Sequence, residues 1–213
     1  MITISDVKKQ YYKQGLGKTL YTYLRFWEYP RLVRIEELLP KTGTIIDLGS
    51  GYGIFSNYAA ATSPKRYVLA CEFDKKKTEV AKKAANTGRI NNITFDNKDI
   101  TKINIKKADA IVVMHVLHHL KSYEEQKELI GECVNKLDKG GILLIDEVDK
   151  KYTLQYFLAL LTDNLLYPGD RFYYRSRKDM ISFLSKFPLI VDVRNVSSFL
   201  MPYPELVYIC KKK

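Results

Sequence analysis

The sequence predicts an open, doubly wound α/β sheet that is mainly parallel, with helices on both faces. The first observation is local: residues 44–61 read as a short apolar strand, a loop with three glycines, and a helix. The second is that apolar stretches of strand length alternate with stretches of helical spacing along the chain, as in folds built from strand–helix–strand units. The third is Glu72, an acid that ends the second predicted strand about 20 residues after the loop, where such sheets hold a polar ligand group.

Length and composition indicate one globular domain, residues 1–213. The chain has 46% apolar and 28% charged residues, which are ordinary values for a globular protein. The N-terminus lacks the apolar core of a signal peptide, and no apolar run reaches the length of a membrane span, so we expect a cytoplasmic protein. Cys71, Cys133 and Cys210 are isolated and are expected to be reduced, mostly buried thiols.

The formal net charge of +11 leaves the partner open. Lysines are spread over the predicted helices and form the tail Lys211, Lys212 and Lys213. Such a surface is either simply solvated, or it meets an anionic membrane surface, an acidic carrier protein or nucleic acid. The charge alone does not choose among these, and the oligomeric state is open too.

The glycine loop limits the kinds of ligand that the chain can bind. Thr44, Ile45 and Ile46 form a buried strand that stops at Asp47, and the loop follows. A dinucleotide fingerprint would have a third glycine where Ile54 stands, and no Gly-Lys-Ser/Thr follows for a Walker loop. Asp47 would repel a phosphate and favour a ligand that carries an ammonium or a sulfonium.

The pattern D-x-G-x-G-x-G over residues 47–53 resembles motif I of class I S-adenosylmethionine-dependent methyltransferases. The resemblance implies a Rossmann-like, seven-stranded sheet in which the last strand is antiparallel and lies next to the sixth. It also implies S-adenosylmethionine as the cofactor. It covers residues 40–150 well and 188–213 by strand pattern. The loop residues expected to bind the cofactor are Asp47, Gly49, Ser50, Gly51 and Gly53.

The N-terminal segment precedes the first strand. Residues 6–39 predict two helices separated near Gly15 and Gly17, the second running from Lys18 to Leu39. Pro30 should kink or divide that helix. Its mixture of basic and aromatic residues suits either packing on the sheet or a membrane-surface or lid role.

The second and third strands supply the predicted adenosine contacts. Tyr67 to Glu72 is the second strand, and its acid should accept from both ribose hydroxyls, with Asp74 as a rival. Phe73 is expected beside the cofactor as well, and the helix from Lys75 to Thr87 ends at Gly88. The third strand spans Ile93 to Phe95. By resemblance, the adenine contacts after it are Asp99 and Ile100.

The fourth strand, Ala108 to Met114, opens on a run that contains all three histidines. This HVLHHL run resembles the corresponding segment of small-molecule and lipid methyltransferases. The chain lacks the Asn/Asp-Pro-Pro-aromatic sequence of base-modifying enzymes, and the metal-binding acid of cation-dependent O-methyltransferases is replaced by Met114 and His115. If the run is helical, His115 shares a face with His118 and His119.

The rest of the chain completes the sheet. Ser122 should cap a helix that runs to Leu137 and is ended by Lys139-Gly140-Gly141, before a fifth strand, Ile142 to Ile145. Residues 150–187, with a helix from Lys178 to Lys186, are not required by the minimal fold. The last two strands are expected at Leu189 to Val196 and Leu206 to Cys210.

Histidine suits a general base because its unperturbed pKa lies near neutrality. His118 or His119 is the candidate base, Glu147 could orient it, and His115 should border the methionine part of the cofactor. Two alternatives stay open. The histidines could pack against and cap the following helix, with the enzyme acting only by holding the acceptor close to the methyl group. They could also bind a metal together with Glu147 or Asp149. We assign no metal.

The acceptor is expected to be a small or lipid-like molecule, free or carried by a carrier protein, with O-methylation favoured. This rests on a loose resemblance of the EVD, PGDRFYYRS and PYPELVYICKK stretches to methyltransferases of acyl-lipid and aryl-polyene synthesis. The expected parts are a helical lid at 1–39, a cofactor core at 40–150, a substrate and lid insertion at 150–187, and the final strands at 188–213. The predicted acceptor residues are Tyr12, Tyr173, Tyr174 and Arg175. RNA methylation and cofactor binding without turnover remain the alternatives.

Overall fold

A computed structural model describes residues 3–12, 29–102, 107–150, 153–196 and 205–213. The predicted break near Gly15 and Gly17 and most of the second N-terminal helix lie outside the described residues. The same holds for much of the lid predicted at 1–39.

The described chain alternates strands and helices as expected. The helices are α1 (Ile4–Lys9), α2 (Tyr29–Glu36), α3 (Ile54–Thr62), α4 (Lys75–Thr87), α5 (Tyr123–Lys136), α6 (Leu154–Leu166) and α7 (Arg177–Leu184). The strands are β1 (Gly43–Leu48), β2 (Arg66–Cys71), β3 (Ile93–Asp96), β4 (Ala108–Met114), β5 (Leu137–Val148), β6 (Leu189–Asn195) and β7 (Glu205–Lys212). Their order in the sheet is β3-β2-β1-β4-β5-β7-β6.

The predicted mixture of strand directions is confirmed. β1 pairs in parallel with β2, and β2 with β3. The last strand, β7, lies between β5 and β6 and runs antiparallel to both. The carboxyl ends of β1 and β2, which carry the glycine loop and Glu72, therefore meet at one edge of the sheet.

Two compact units share the strand β4. The first takes residues up to 104 together with Ala108–Ala110. Inside it, Arg66 is wholly buried and its Nη1 lies 2.6 Å from a carboxylate oxygen of Glu36. The same guanidinium donates to the carbonyls of Pro40 and Ala59, at 2.7 and 2.9 Å. The pair and its carbonyl partners fix α2 and α3 against the start of β2.

The second unit contains Ile111–Val148 and the described residues that follow. Helix α6 packs one face into it: Tyr156 and Ala159 are buried with Val148 and Tyr174. The opposite face of α6 is exposed. No helix in the described ranges has the length and apolarity needed to cross a membrane.

One boundary was predicted wrongly. Helix α5 ends at Lys136, and Leu137 already has the extended angles φ −69° and ψ 139°. Lys139-Gly140-Gly141 therefore lies inside β5 rather than ending the helix, and Gly140 has φ +78° within the strand. The glycines had favoured a helix stop, but the strand pairing of this segment outweighs that local preference. The three cysteines are free and buried, as predicted.

Candidate active site

The glycine loop leaves room for a ligand against its backbone. Gly49, Gly51 and Gly53 have positive φ angles of 79°, 56° and 70°, which only glycine adopts readily. A Cβ at Gly51 would meet nothing within 4 Å. The Ser50 hydroxyl is buried and has no hydrogen-bond partner among the described residues. An open backbone face next to an unsatisfied hydroxyl fits a polar cofactor.

Glu72 connects this loop to the end of β2. Its Oε2 accepts a hydrogen bond from the Gly51 N–H at 2.8 Å, and its Oε1 accepts one from the Asp74 N–H at 2.9 Å. The side chain is buried. Each carboxylate oxygen still has a lone pair for a ribose hydroxyl. Phe73, the next residue, is almost fully exposed and presents its ring to solvent.

Asp47 is buried below the loop and accepts a hydrogen bond from the Ser56 hydroxyl. Its pKa is raised to about 7: burial is the main cause, the Ser56 hydrogen bond opposes it, and the charge of Glu72 adds a smaller increase. A carboxyl that is half protonated at neutrality is one that a nearby cation would ionise. The group therefore suits a positively charged ligand, as its position before the loop indicated.

Other residues predicted for this unit have local partners. Asp99 is exposed, and its Oδ1 accepts from the N–H and hydroxyl of Thr101, so it forms a turn, and Ile100 is half-buried beside it. Tyr12 is 40% exposed, with Lys8 Nζ 5.7 Å from its ring centre. These contacts do not show whether Asp99, Ile100 or Tyr12 binds a ligand.

The sequence reasoning missed Tyr11. Its ring is fully buried, its hydroxyl donates to the Tyr52 carbonyl at 3.0 Å, and that hydroxyl accepts from Asn57 Nδ2 at 2.8 Å. Since Tyr52 lies between two loop glycines, the turn that follows α1 holds the glycine loop from outside. An amphipathic pattern does not distinguish this tyrosine from Tyr12 beside it.

In the second unit, His118 and Glu147 form a buried pair. His118 Nδ1 lies 2.5 Å from Glu147 Oε2, and the other carboxylate oxygen accepts from the N–H groups of Val116 and Leu117 at 3.0 and 2.8 Å. Burial works to raise the pKa of Glu147, but the charge of His118 and these hydrogen bonds outweigh it, so the pKa is lowered. An ionised Glu147 orients the imidazole through Nδ1, so that Nε2 faces away from this carboxylate.

The far side of His118 faces Tyr174, which was predicted as an acceptor residue, and Asp163, which the sequence did not indicate. Asp163 Oδ2 lies 3.7 Å from His118 Nε2 and accepts a hydrogen bond from the Tyr174 hydroxyl. The Tyr174 ring stacks on the imidazole, with centroids 4.4 Å apart and planes 11° apart. Asp163 is the one charged residue of α6, and a lone acid in an apolar helix is a signal that could have found it.

The sequence predicted that, in a helical run, the three histidines would share one face. The structure shows that they do not. His115 has φ +53°, and only Leu117–His119 form a short 3₁₀ turn. His119 lies beside His118, with ring centroids 4.2 Å apart, and its pKa falls to about 4, first through burial and then through the charge of His118. His115 turns away, with Nε2 3.2 Å from a carboxylate oxygen of Glu205.

The family model for a methyltransferase domain matches residues 46–145. Residues 46–145 therefore carry a methyltransferase domain. Solved structures that share the fold contain bound S-adenosylhomocysteine or S-adenosylmethionine. No curated protein sequence matches the chain.

Solved methyltransferase structures share the fold. The magnesium protoporphyrin IX methyltransferase of Synechocystis, with bound S-adenosylhomocysteine, is 20% identical, with a TM-score of 0.71 over 98% of this chain and 94% of that chain. The N-methyltransferase NodS of Bradyrhizobium japonicum is 15% identical, with a TM-score of 0.70 over 98% and 97%. An O-methyltransferase family 2 protein of Planctomyces limnophilus, in complex with apigenin, is 18% identical, with a TM-score of 0.70 over 90% and 61%.

Three of the four predicted acceptor residues, Tyr173, Tyr174 and Arg175, lie next to the His118 turn. Gln126 is fully buried and donates to the carbonyls of Leu117 and Tyr173, at 2.9 and 2.8 Å. Arg175 donates to the Gln126 side-chain oxygen at 2.8 Å, and the Tyr173 N–H donates to the His118 carbonyl at 2.9 Å. Gln126 thus joins two segments. Tyr174 and Arg175 also line a cavity of about 550 Å³.

Proposed function

We propose that this methyltransferase methylates a hydroxyl group of an apolar small molecule or lipid-like acceptor. One observation carries the proposal: the buried hydrogen bond between Glu147 and His118 Nδ1, which orients the imidazole so that Nε2 faces away from Glu147. A hydroxyl must lose its proton as it attacks the methyl group, and a positioned base assists that step. A neutral amine can attack before it loses a proton, so a built base favours oxygen as the acceptor atom.

The cofactor would be held by residues of the first unit. Glu72 would bind the ribose hydroxyls, the glycine loop would lie against the ligand, and Asp99 with Ile100 would meet the adenine. Asp47 would favour the positive charge, and His115 would border the methionine part. Bound S-adenosylmethionine supplies an electrophilic methyl group. The loop's open face and the unpaired Ser50 hydroxyl support this binding mode.

His118 then acts as the base, and Glu147 acts as the positioning residue. Glu147 keeps the imidazole in one tautomer and stabilises the imidazolium that forms, as buried carboxylates do in other histidine-based sites. A general base of this kind contributes about 10²–10⁴-fold to the rate. His119 is neutral at pH 7 because of its lowered pKa, but a pKa of about 4 makes it a weak base at that pH.

The neighbouring structures support a small-molecule acceptor, since one is a magnesium protoporphyrin IX methyltransferase and another was solved with apigenin.

The exposed face of α6 supports an apolar acceptor and contact with a membrane that holds it. Leu154, Leu161 and Leu165 on its outer face are 76%, 66% and 79% exposed. The net charge of +11 would attract such a face to anionic lipid. A peripheral position at the inner membrane surface follows from the proposal.

Labelling the cell's own acceptor tests the proposal. The full chain and S-adenosylmethionine with a tritiated methyl group are added to host lysate, and lipid, RNA, protein and small-molecule fractions are counted. We expect label in the lipid or small-molecule fraction, resistant to nuclease and stimulated by liposomes. His118→Asn is the control and should lose most of it. Saturable labelling of RNA with steep salt dependence, or binding of the cofactor with no turnover in any fraction, would overturn the proposal.

A further inference from the structure

We propose that His118, His119 and Asp163 form a binding site for a divalent transition metal of the zinc class, and that a bound metal blocks the base. One ligand atom from each of these residues lies within 4.8 Å of the others. The two histidines come from the 3₁₀ turn Leu117–His119 and the acid from α6. The site deepens the proposed function, because the blocking effect rests on His118 as base, whereas metal binding itself does not.

The spacing is close to that of a real site. Ligands about 2.0–2.1 Å from zinc stand roughly 3.4 Å apart at tetrahedral angles. His118 Nε2 and Asp163 Oδ2 are 3.7 Å apart, so they need almost no movement. The three ligand atoms lie within 4.8 Å of one another, so no separation has to shorten by more than roughly 1.4 Å. A rotation of the half-buried His119 ring supplies a movement of that size.

The surroundings of His118 match those of a metal ligand. Ligating histidines usually donate their second N–H to a carboxylate, which fixes the tautomer and directs the other nitrogen at the metal. Glu147 occupies that position on Nδ1, at 2.5 Å. Tyr174 fixes Asp163 in the same way, because its hydroxyl donates to the carboxylate oxygen that faces Nε2. Both ligands are thus oriented by further buried groups.

Charge and ligand type select the metal class. The carboxyl groups of Glu147 and Asp163 face opposite nitrogens of the His118 imidazole. Two negative charges therefore lie around one ring, and a divalent cation between Nε2 and Asp163 balances them better than a single proton on the ring does. Calcium and magnesium prefer all-oxygen sites. Two imidazoles with one carboxylate suit zinc, cobalt, nickel or iron instead. Three protein ligands leave the fourth position open.

Metal binding and base catalysis use the same lone pair. A metal on His118 Nε2 prevents that nitrogen from accepting the acceptor's proton. Methyl transfer should therefore fall in proportion to metal occupancy and return when a chelator removes the ion. A metal-activated enzyme would show the opposite response.

Cobalt(II) titration of the full chain, followed by visible absorption, tests the site without any acceptor. We expect one equivalent to give the bands of a low-coordinate nitrogen–oxygen site, displaced by zinc. Asp163→Asn and His119→Gln should each weaken binding at least tenfold. Asp170→Asn, which removes one exposed acid from the same segment, should leave it unchanged. Thermal melts confirm that each variant is folded. Absence of stoichiometric binding, or equal binding in all three variants, would overturn the site.

Zinc titration of methyl transfer tests the blocking role. We expect the activity loss to follow the occupancy measured with cobalt. Zinc-loaded protein that works at the metal-free rate, or faster, would overturn this role. Cobalt binding lost in both ligand variants supports the site even if the enzyme proves not to use His118 as its base, so the two proposals fail separately.

Discussion

Removing one hydroxyl at Tyr11 should loosen the cofactor loop. In the native protein this hydroxyl donates to the Tyr52 carbonyl at 3.0 Å and accepts from Asn57 at 2.8 Å. Burial raises the pKa of Tyr11, so the hydroxyl stays protonated and keeps donating across the physiological range. Tyr11→Phe keeps the buried ring and removes both hydrogen bonds. We therefore expect weaker binding of S-adenosylhomocysteine with an intact fold.

The size of the effect follows from the two groups left behind. A buried polar group without a partner costs ~1–3 kcal/mol. Asn57 keeps its bond to the Ala81 carbonyl at 3.2 Å, so the Tyr52 carbonyl carries most of the loss. If the freed loop opens, the cofactor has to restore its order, and ~1.4 kcal/mol then corresponds to about a tenfold rise in Kd.

Calorimetry with S-adenosylhomocysteine measures that Kd, and urea unfolding measures the loss of stability. Tyr12→Phe is the matched control, because it removes a hydroxyl from the neighbouring, exposed ring. We expect it to change neither quantity. The reasoning is refuted if Tyr11→Phe loses stability but binds S-adenosylhomocysteine as tightly as the native chain, because Tyr11 would then support the fold and not the loop.

Three further changes test the first unit. Arg66→Met should lower the free energy of unfolding by ~3–5 kcal/mol, because it removes the buried charge partner of Glu36 and leaves that carboxylate with the exposed Lys41 and the Thr62 hydroxyl. The exposed Lys41→Met should cost under ~1 kcal/mol in the same urea titration. Gly53→Ala would place its Cβ 2.6 Å from that of Ala81, at φ +70°; thermal melts should show a loss of ~1–3 kcal/mol. Asp47→Asn tests the raised pKa. In the folded protein the Asp47 carboxyl keeps its proton up to a pH of about 7, whereas in the unfolded chain it loses the proton near pH 4. The free energy of unfolding should therefore fall as the pH rises from about 4 to 7. Asp47→Asn should lack this fall, because the amide does not titrate.

The fold was largely predictable because its signals are local. Residues 44–61 contain a strand, a turn and a helix in sequence, and β4 was predicted with its observed ends, Ala108 and Met114. The start of β5 was not, because Lys139-Gly140-Gly141 has the composition of a helix stop and only pairing with other strands makes it extended.

The candidate site also has a part that the sequence predicted and a part that it did not. The order of residues indicated that Glu147 could orient His118, since both follow the predicted ends of successive strands. His115 could not be placed, because its positive φ depends on tertiary contacts that no spacing rule contains. Asp163 and Tyr11 belong to helical segments whose patterns identify a buried face but not the partner of one polar atom on it.

The most direct test of the account is the single-turnover rate of methyl transfer in Glu147→Gln. The amide oxygen can still accept from Val116 and Leu117, but the NH₂ group then faces His118 Nδ1, which favours the tautomer with its proton on Nε2. The account predicts a rate about 10²–10⁴-fold lower, with the Kd for S-adenosylhomocysteine unchanged. A variant that transfers the methyl group at the native rate would contradict the assignment of the His118–Glu147 pair as the base.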